Sequence, residues 1–330
     1  MLRIYFTSDD IARTRLATAP DPLWELVLAV HMLRGQPGDL LYTDWRRATA
    51  ATVRRTPPGG GMGLLSALTP TMGYFPDFLN PVTPDFRLDT GLEQIRRTPQ
   101  PMLDRDLQRL ADTLGYAAPP VMRALAAGEP DALRQLTATM HAFYEMAVVP
   151  HRRIVDAAVE HDRRLRIRAM AACGVEGLLA SLRPHIEYSD GELRVPSHPD
   201  QEIFLGGRGL LLVPAYFCVN HPMTMFDDDL PPVLVYPAER PHDLLAGQPE
   251  GAARRNLAAL LGATRAAVLT AIADGRTTTE LARRVGISAA SVSEHTTVLR
   301  DSGLIVSRRD GNRVVHHVTR LGTAVLEGRS

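Results

Sequence analysis

The sequence contains no lysine; every one of its 37 Lys-or-Arg positions is arginine. Codon bias in a GC-rich genome accounts for this, and no function is drawn from it. Cysteine is nearly absent, with Cys173 and Cys218 the two in the chain. That excludes a disulfide framework and fits a reducing, cytoplasmic location. No run of about 18 apolar residues occurs, so no membrane span is expected. The start, MLRIYFTSDD, lacks the basic-then-apolar order of a signal peptide. Catalytic signatures are missing too. GGGMG at 59–63 has neither the lysine nor the strand-helix setting of a phosphate loop, and no G-x-S-x-G elbow or H-E-x-x-H helix is present. An enzyme is therefore the poorer hypothesis. Net charge is also zero, so the chain taken whole does not read as a nucleic-acid binder.

What is present is unevenly placed. With 330 residues, 45% hydrophobic and 22% charged, the chain is long enough for two domains and a sizeable core. From Arg254 onward there are twelve arginines against six acids, a surplus of +6. Overall neutrality then leaves −6 for the first 253 residues. A basic terminal module on an acidic body suggests that one part meets phosphate and the other does not. We divide the chain into an α+β region over 1–240, a Pro- and Gly-rich linker over 241–253, and a terminal module over 254–330.

The terminal module carries the functional reading. TTTELARRV, starting at Thr277, has the pattern of a short helix, capped by Thr277 or Thr278, with Leu281, Ala282 and Val285 inward. Gly286-Ile287 makes a turn and Ser288 caps a second helix. In that helix Val292, Thr296 and Leu299 share the core side. Ala289, Ala290, Ser291, Ser293, Glu294 and Thr297 are left outside, with His295 between the faces. The helix stops at Gly303. Two alternating strands then meet at Asp310-Gly311-Asn312 and bring Arg308, Arg309 and Arg313 to a wing. This order is a winged helix-turn-helix, whose second helix meets the major groove. Its outward residues are small and discriminate bases poorly. Glu294 can accept from a cytosine amine but repels phosphate. Affinity is expected mainly from phosphate contacts of Arg300, Arg308, Arg309 and Arg313, joined by Thr278, Ser288 and the outward helix residues. An arginine-bearing wing suits the narrow minor groove.

TELARRVGIS followed by SVSEHTTVLRDSGLIVSRRDGNRVVHH resembles the ArsR-type winged-helix repressors, over 257–319. The earlier SDDIARTRLATAPDPLWE and GYFPDFL segments resemble actinobacterial ArsR-like regulators with a large amino-terminal domain of undefined role. The resemblance implies a homodimer on an inverted-repeat operator, acting as a repressor and paired through 254–261 and 320–326. Two departures matter. Metal-sensing members place paired cysteines on the helix before the recognition helix, whereas Thr278 to Val285 has no Cys, His or Asp. The family's common outer Gln and Arg are Ala289 and Glu294 here, so operator preference does not carry over.

The first 240 residues read as helices with a small antiparallel sheet near their end. Helical spacing predicts helices from Pro22 to an end at Gly35, and at 40–53, 88–95, 102–114, 121–127, 130–149 and 150–182. IEYSDGELRV predicts a hairpin at Asp190-Gly191. GLLLVPAYFCV and PPVLVYP predict strands, the second at an edge because of its prolines. Cys218, His221 and Asp227 to Asp229 have zinc-ligand chemistry, but one Cys-His pair is too few ligands. No metal and no cofactor is assigned. His141 and Glu145, one turn apart, read as a surface pair. Of His316 and His317, adjacent in a wing strand, one must face outward. Tyr74, Phe75, Phe78, Phe143, Tyr144, Tyr216 and Phe217 form either ordinary core or a pocket for an apolar effector.

These readings converge on a dimeric transcriptional regulator with double-stranded operator DNA as partner and a small-molecule effector. Two competing readings remain. An enzyme with an accessory winged helix requires a deep polar cleft in the first domain. A scaffold requires a recognition face whose arginines are locked in ion pairs.

Overall fold

PLWELVLAVHML is apolar on nearly every side, and the helix it forms, Pro22–Leu33, is buried along almost its whole length. Asp21 starts it by accepting from Leu23 N at 2.9 Å and Trp24 N at 3.2 Å. The computed structural model describes residues 1–34, 42–58, 62–70, 74–114, 120–219, 221–227, 229–240, 257–272, 275–310 and 313–327. The chain divides into two units, Met1–Arg240 and Pro241–Ser330; the expected linker over 241–253 lies outside the described residues.

The first unit is mostly helical, with small sheets, an α+β architecture. Around Pro22–Leu33 pack Thr43–Arg55, Met62–Leu68, Leu88–Arg96, Gln100–Leu114, Pro120–Ala126 and Pro130–Ala147. Met62–Leu68 escapes sequence reading because it is short and follows a Pro- and Gly-rich break. The long pattern after Pro150 becomes Arg152–Ala180, bent where Cys173 and Gly174 (φ 69°) leave helical geometry.

Two four-stranded sheets complete the unit. One has the order Glu187–Ser189, Glu192–Val195, Leu2–Tyr5, Gln201–Phe204, and its last pair is parallel. Its first hairpin turns at Asp190 (φ 53°) and Gly191 (φ 74°), the backbone that an Asp-Gly pair supplies. The other has the order Arg15–Leu16, Leu211–Ala215, Val233–Pro237, Met223–Thr224. Its first three strands are parallel. The sheets are therefore mixed rather than antiparallel, and Val233–Pro237 lies inside one rather than at an edge. Pro231 and Pro232 precede the ladder, and Pro232 contributes only its carbonyl, to Leu211 N at 2.9 Å. Val213, Ala215, Val233 and Val235 face the helical core, while Leu212, Leu234 and Tyr236 face a second core shared with the other sheet. Burial on both faces explains the unbroken apolar runs.

Irregular segments are held by buried carboxylates. Asp10 accepts from Gly209 N at 3.0 Å, and Asp77 from Phe226 N and Asp227 N at 3.1 and 2.9 Å. Asp106 accepts from Phe78 N at 3.0 Å. Glu25, one of the few polar groups on its helix, accepts from Tyr216 N at 2.7 Å and Phe217 N at 3.0 Å. Each supplies an acceptor that a loop amide cannot find in a ladder.

The second unit packs Ala263–Ala271, Thr278–Val285, Ala289–Asp301 and Arg320–Glu327 against a three-stranded sheet. The sheet order is Ile305–Asp310, Arg313–Val318, Arg276–Thr277. Val268, Leu269, Ile272, Leu281, Val292, Leu299, Leu304 and Ile305 form the core. The third strand is two residues long and carries no periodicity to betray it. Among the described residues no helix is long and apolar enough to cross a membrane.

Candidate nucleic-acid interface

Two local caps build the reading head. Thr277 Oγ1 accepts from Glu280 N at 3.3 Å, and Glu280 Oε2 accepts from Thr277 N at 2.9 Å. This capping box starts Thr278–Val285. Gly286 ends that helix in the left-handed region, at φ 74°, where a side chain would be strained. Ser288 Oγ then accepts from Ser291 N at 3.1 Å and starts Ala289–Asp301.

Val292, Thr296 and Leu299 are buried, as their spacing predicts. The arc through Ala289, Ala290, Ser293, Glu294 and Thr297 is exposed, with Ser291 and His295 half-buried at its border. Part of its donor capacity is spent internally. Ser293 donates to Ala289 O at 3.0 Å, and the Ser288 and Ser291 hydroxyls lie 2.9 Å apart. Fewer hydroxyl donors reach outward than the composition suggests. Thr278 is committed elsewhere. Its hydroxyl pairs with His316 Nε2 at 3.0 Å, while His316 Nδ1 pairs with Ser307 Oγ at 2.9 Å. His316 thus fastens the wing to the first helix. Burial, aided by Arg300 and His317, holds its pKa below the ordinary histidine value, which favours the neutral ring. His317 is the exposed member of the pair.

Arg308 and Arg309 are exposed and make no ion pair among the described residues. They leave opposite faces of the hairpin and so reach to both sides of the wing. Arg300 pairs with Asp301 at 3.3 Å, both exposed, an interaction of little strength. Arg313 begins the returning strand opposite Asp310; Gly311 and Asn312 of the expected tip lie outside the described residues. Sequence reading passed over Arg283 and Arg284, which are exposed at the end of Thr278–Val285. Their place one turn before the recognition helix was the available signal.

The aromatic residues of the first unit do not gather around one cavity. Phe78, Phe143 and Phe217 are fully buried filling. Phe75 is buried edge-on to Trp24 at 5.8 Å. Tyr74 lies edge-on to Phe226 at 5.7 Å beneath Arg109, and Tyr216 packs on Tyr42 and Phe217 at 5.4 and 5.0 Å. Tyr144 alone of the seven lines a cavity of about 420 Å³. With few aromatics in the chain, the large rings are used to fill the core. That cavity is lined by apolar residues, including Pro22, Val148 and Val155, and by charged ones. Cys218 is buried and donates to the His221 carbonyl at 3.4 Å, and Asp227 pairs with Arg105. The Cys218 thiol and the Asp227 carboxylate thus have separate partners, and Asp228 lies outside the described residues.

Residues 260–308 match the family model of a helix-turn-helix domain. The matched span runs from the opening helices through the recognition helix into the first wing strand. It supports a helix-turn-helix DNA-binding regulator. No curated protein and no solved structure matches the chain.

Proposed function

We propose that the chain is a homodimeric transcriptional repressor of the ArsR-like type, whose first unit senses a small molecule. The observation that carries this reading is the division of faces in the second unit. The apolar side of Ala289–Asp301 enters the core, while its small polar side stays on the surface beside the exposed Arg308 and Arg309. A slim polar helix fits a major groove, and arginines beside it fit phosphates. Leu260 and Leu321, on either side of the reading head in sequence, are 75% and 55% exposed. Large apolar side chains left in water support pairing of two copies through them. Such a pair would bring two recognition helices to successive major grooves, roughly 34 Å apart. We take the first unit as a sensor rather than an enzyme. Its buried carboxylates Asp77 and Asp106 hold backbone amides of irregular segments.

The test uses the full-length protein on DNA flanking its own gene. Retardation that weakens steeply with salt is expected. Replacing both Arg308 and Arg309 by Ala should weaken binding to all sequences alike and lower the log–log salt slope by about 1 per arginine. No retardation at low salt would overturn the reading. Loss confined to one operator base would remove the phosphate role of the wing. Sedimentation should show a dimer, and deletion of the gene should raise expression from the operator.

A further inference from the structure

The cavity of the first unit has a charge pattern that selects its ligand. Four carboxylates line it, Glu25, Asp89, Glu145 and Asp156, against two guanidinium groups, Arg87 and Arg152. Each arginine lies beside one of these acids in an exposed, weak pair. Arg152 lies 3.6 Å from Asp156, and Arg87 lies 3.9 Å from Asp89. Among the described residues Glu25 and Glu145 are in no ion pair. Glu25 is 1% exposed, and its direct hydrogen-bond partners are the two amides of Tyr216 and Phe217. The nearby Arg240 acts on Glu25 only weakly and without a direct bond, so this buried carboxylate lacks a paired positive charge to balance it. At about 420 Å³ the cavity falls within the span of about 300–1,000 Å³ common for small-ligand sites.

We propose that this cavity binds an organic amine with an apolar body, its ammonium group paired with Glu25 and its body against Tyr144, Val148 and Val155. This rests on the reading of the first unit as a sensor and names the class of ligand. An anionic ligand would meet four carboxylates against His141 and two arginines that each already lie beside an acid. A neutral ligand would leave Glu25 as it is. The same carboxylate links the cavity to the end of the unit. Glu25 holds the Tyr216-Phe217 backbone, and Arg240 donates to the Tyr216 carbonyl at 3.0 Å and to the Tyr42 hydroxyl. Its guanidinium lies over the rings of Tyr42 and Tyr216, at 4.8 and 4.7 Å. Arg240 is the last residue of the unit. An ammonium that draws on Glu25 therefore acts on the turn that Arg240 grips.

The test is calorimetric titration of the full-length protein with three compounds that share one body: 4-phenylbutylamine, 4-phenylbutanol and 4-phenylbutyrate. The amine should bind about tenfold or more tightly than the alcohol, and the carboxylate no better than the alcohol. Glu25→Gln should abolish the advantage of the amine. Glu145→Arg, a change on an exposed helix face, should reduce amine affinity by about threefold and leave the alcohol unaffected. It decides the matter if Glu25→Gln fails to fold. Equal binding of amine and alcohol, tighter binding of the carboxylate, no saturable binding of the amine at millimolar concentration, or amine affinity indifferent to both substitutions overturns the proposal. Retardation of DNA by the ligand-free protein reads the regulator assignment separately.

Discussion

Both units use local caps, as Asp21 shows in the first, but the first also holds its backbone by a second means. In the second, each cap lies three residues from the amide it serves, as in Thr277 with Glu280 and Ser288 with Ser291. In the first, carboxylates reach across the chain. Asp10 serves Gly209, Glu25 serves Tyr216, and Asp77 serves Phe226, at separations of 199, 191 and 149 residues. A local cap forms with its helix and stays near water. A buried carboxylate gives a loop an acceptor where no strand can, but it must be desolvated to do so. The difference teaches where each unit is vulnerable. The second is open to small, additive losses. The first is open to the loss of single charges.

The largest test of that contrast is Asp162. It is fully buried and accepts from Arg166 at 2.8 and 3.1 Å, from the Tyr236 hydroxyl at 2.6 Å and from Glu239 N at 3.1 Å. Asp162→Ala leaves the buried Arg166 with Glu239 and Ser181 as its remaining partners. The expected cost is about 3–5 kcal/mol. Both tryptophans, Trp24 and Trp45, lie in the first unit, so urea unfolding followed by their fluorescence reads that unit alone. Thr277→Ala should cost about 1 kcal/mol, read by amide exchange in Thr278–Val285. If the two losses prove equal, the contrast between the units fails.

A smaller effect separates the units by pH. A buried acid whose folded pKa is raised keeps its proton while the unfolded chain releases it. Its contribution to stability is complete below the unfolded pKa and is lost as pH climbs to the folded one. Burial pushes Asp21 and Asp77 up to about 6 and Glu25 up to about 7. His31 runs the other way. Burial lowers it from 6.5 to about 4, so its contribution is complete above 6.5 and is lost as pH falls toward 4. Above pH 6.5 His31 is therefore silent, and the descent through pH 7 belongs mainly to Glu25. The tryptophan-detected midpoint should fall between pH 6.5 and about 8, and Glu25→Gln should flatten that fall. A midpoint that rises over the interval contradicts the assignment.

The same contrast governs how much is legible in the sequence. The second unit is readable because its determinants are local. The spacing of Val292, Thr296 and Leu299, the Ser288 cap and the Gly286 turn each need only a few neighbours. What escapes there is the nonlocal part, such as Thr278 turning to His316, 38 residues away. In the first unit helices such as Pro22–Leu33 and Pro130–Ala147 show in their apolar spacing, but strand direction does not. The parallel pairing of Leu211–Ala215 with Val233–Pro237 depends on the path of the chain between them. Aromatic residues that fill a core and those that line a cavity look alike in sequence, which is why Phe143 and Tyr144 could not be told apart. One signal for the cavity was visible: a lone acid, Glu25, in an otherwise apolar and buried helix.

The smallest predicted effect asks whether a local cap can be changed without harm to the fold while its other role is lost. Ser288 caps the recognition helix and is exposed at the end expected to approach DNA. Ser288→Ala removes the acceptor for Ser291 N and should cost about 1 kcal/mol. Ser288→Asp keeps an acceptor and adds a negative charge at the helix N-terminus, so stability should hold or rise by about 0.3–1 kcal/mol. That charge would face phosphate, so DNA affinity should fall while the midpoint seen by far-UV circular dichroism does not. The loss should shrink as salt rises, since screening weakens the repulsion. If Ser288→Asp lowers stability and DNA affinity together, the cap and the DNA-facing role cannot be separated at this position. If affinity stays level, the N-terminus of this helix does not face the phosphates.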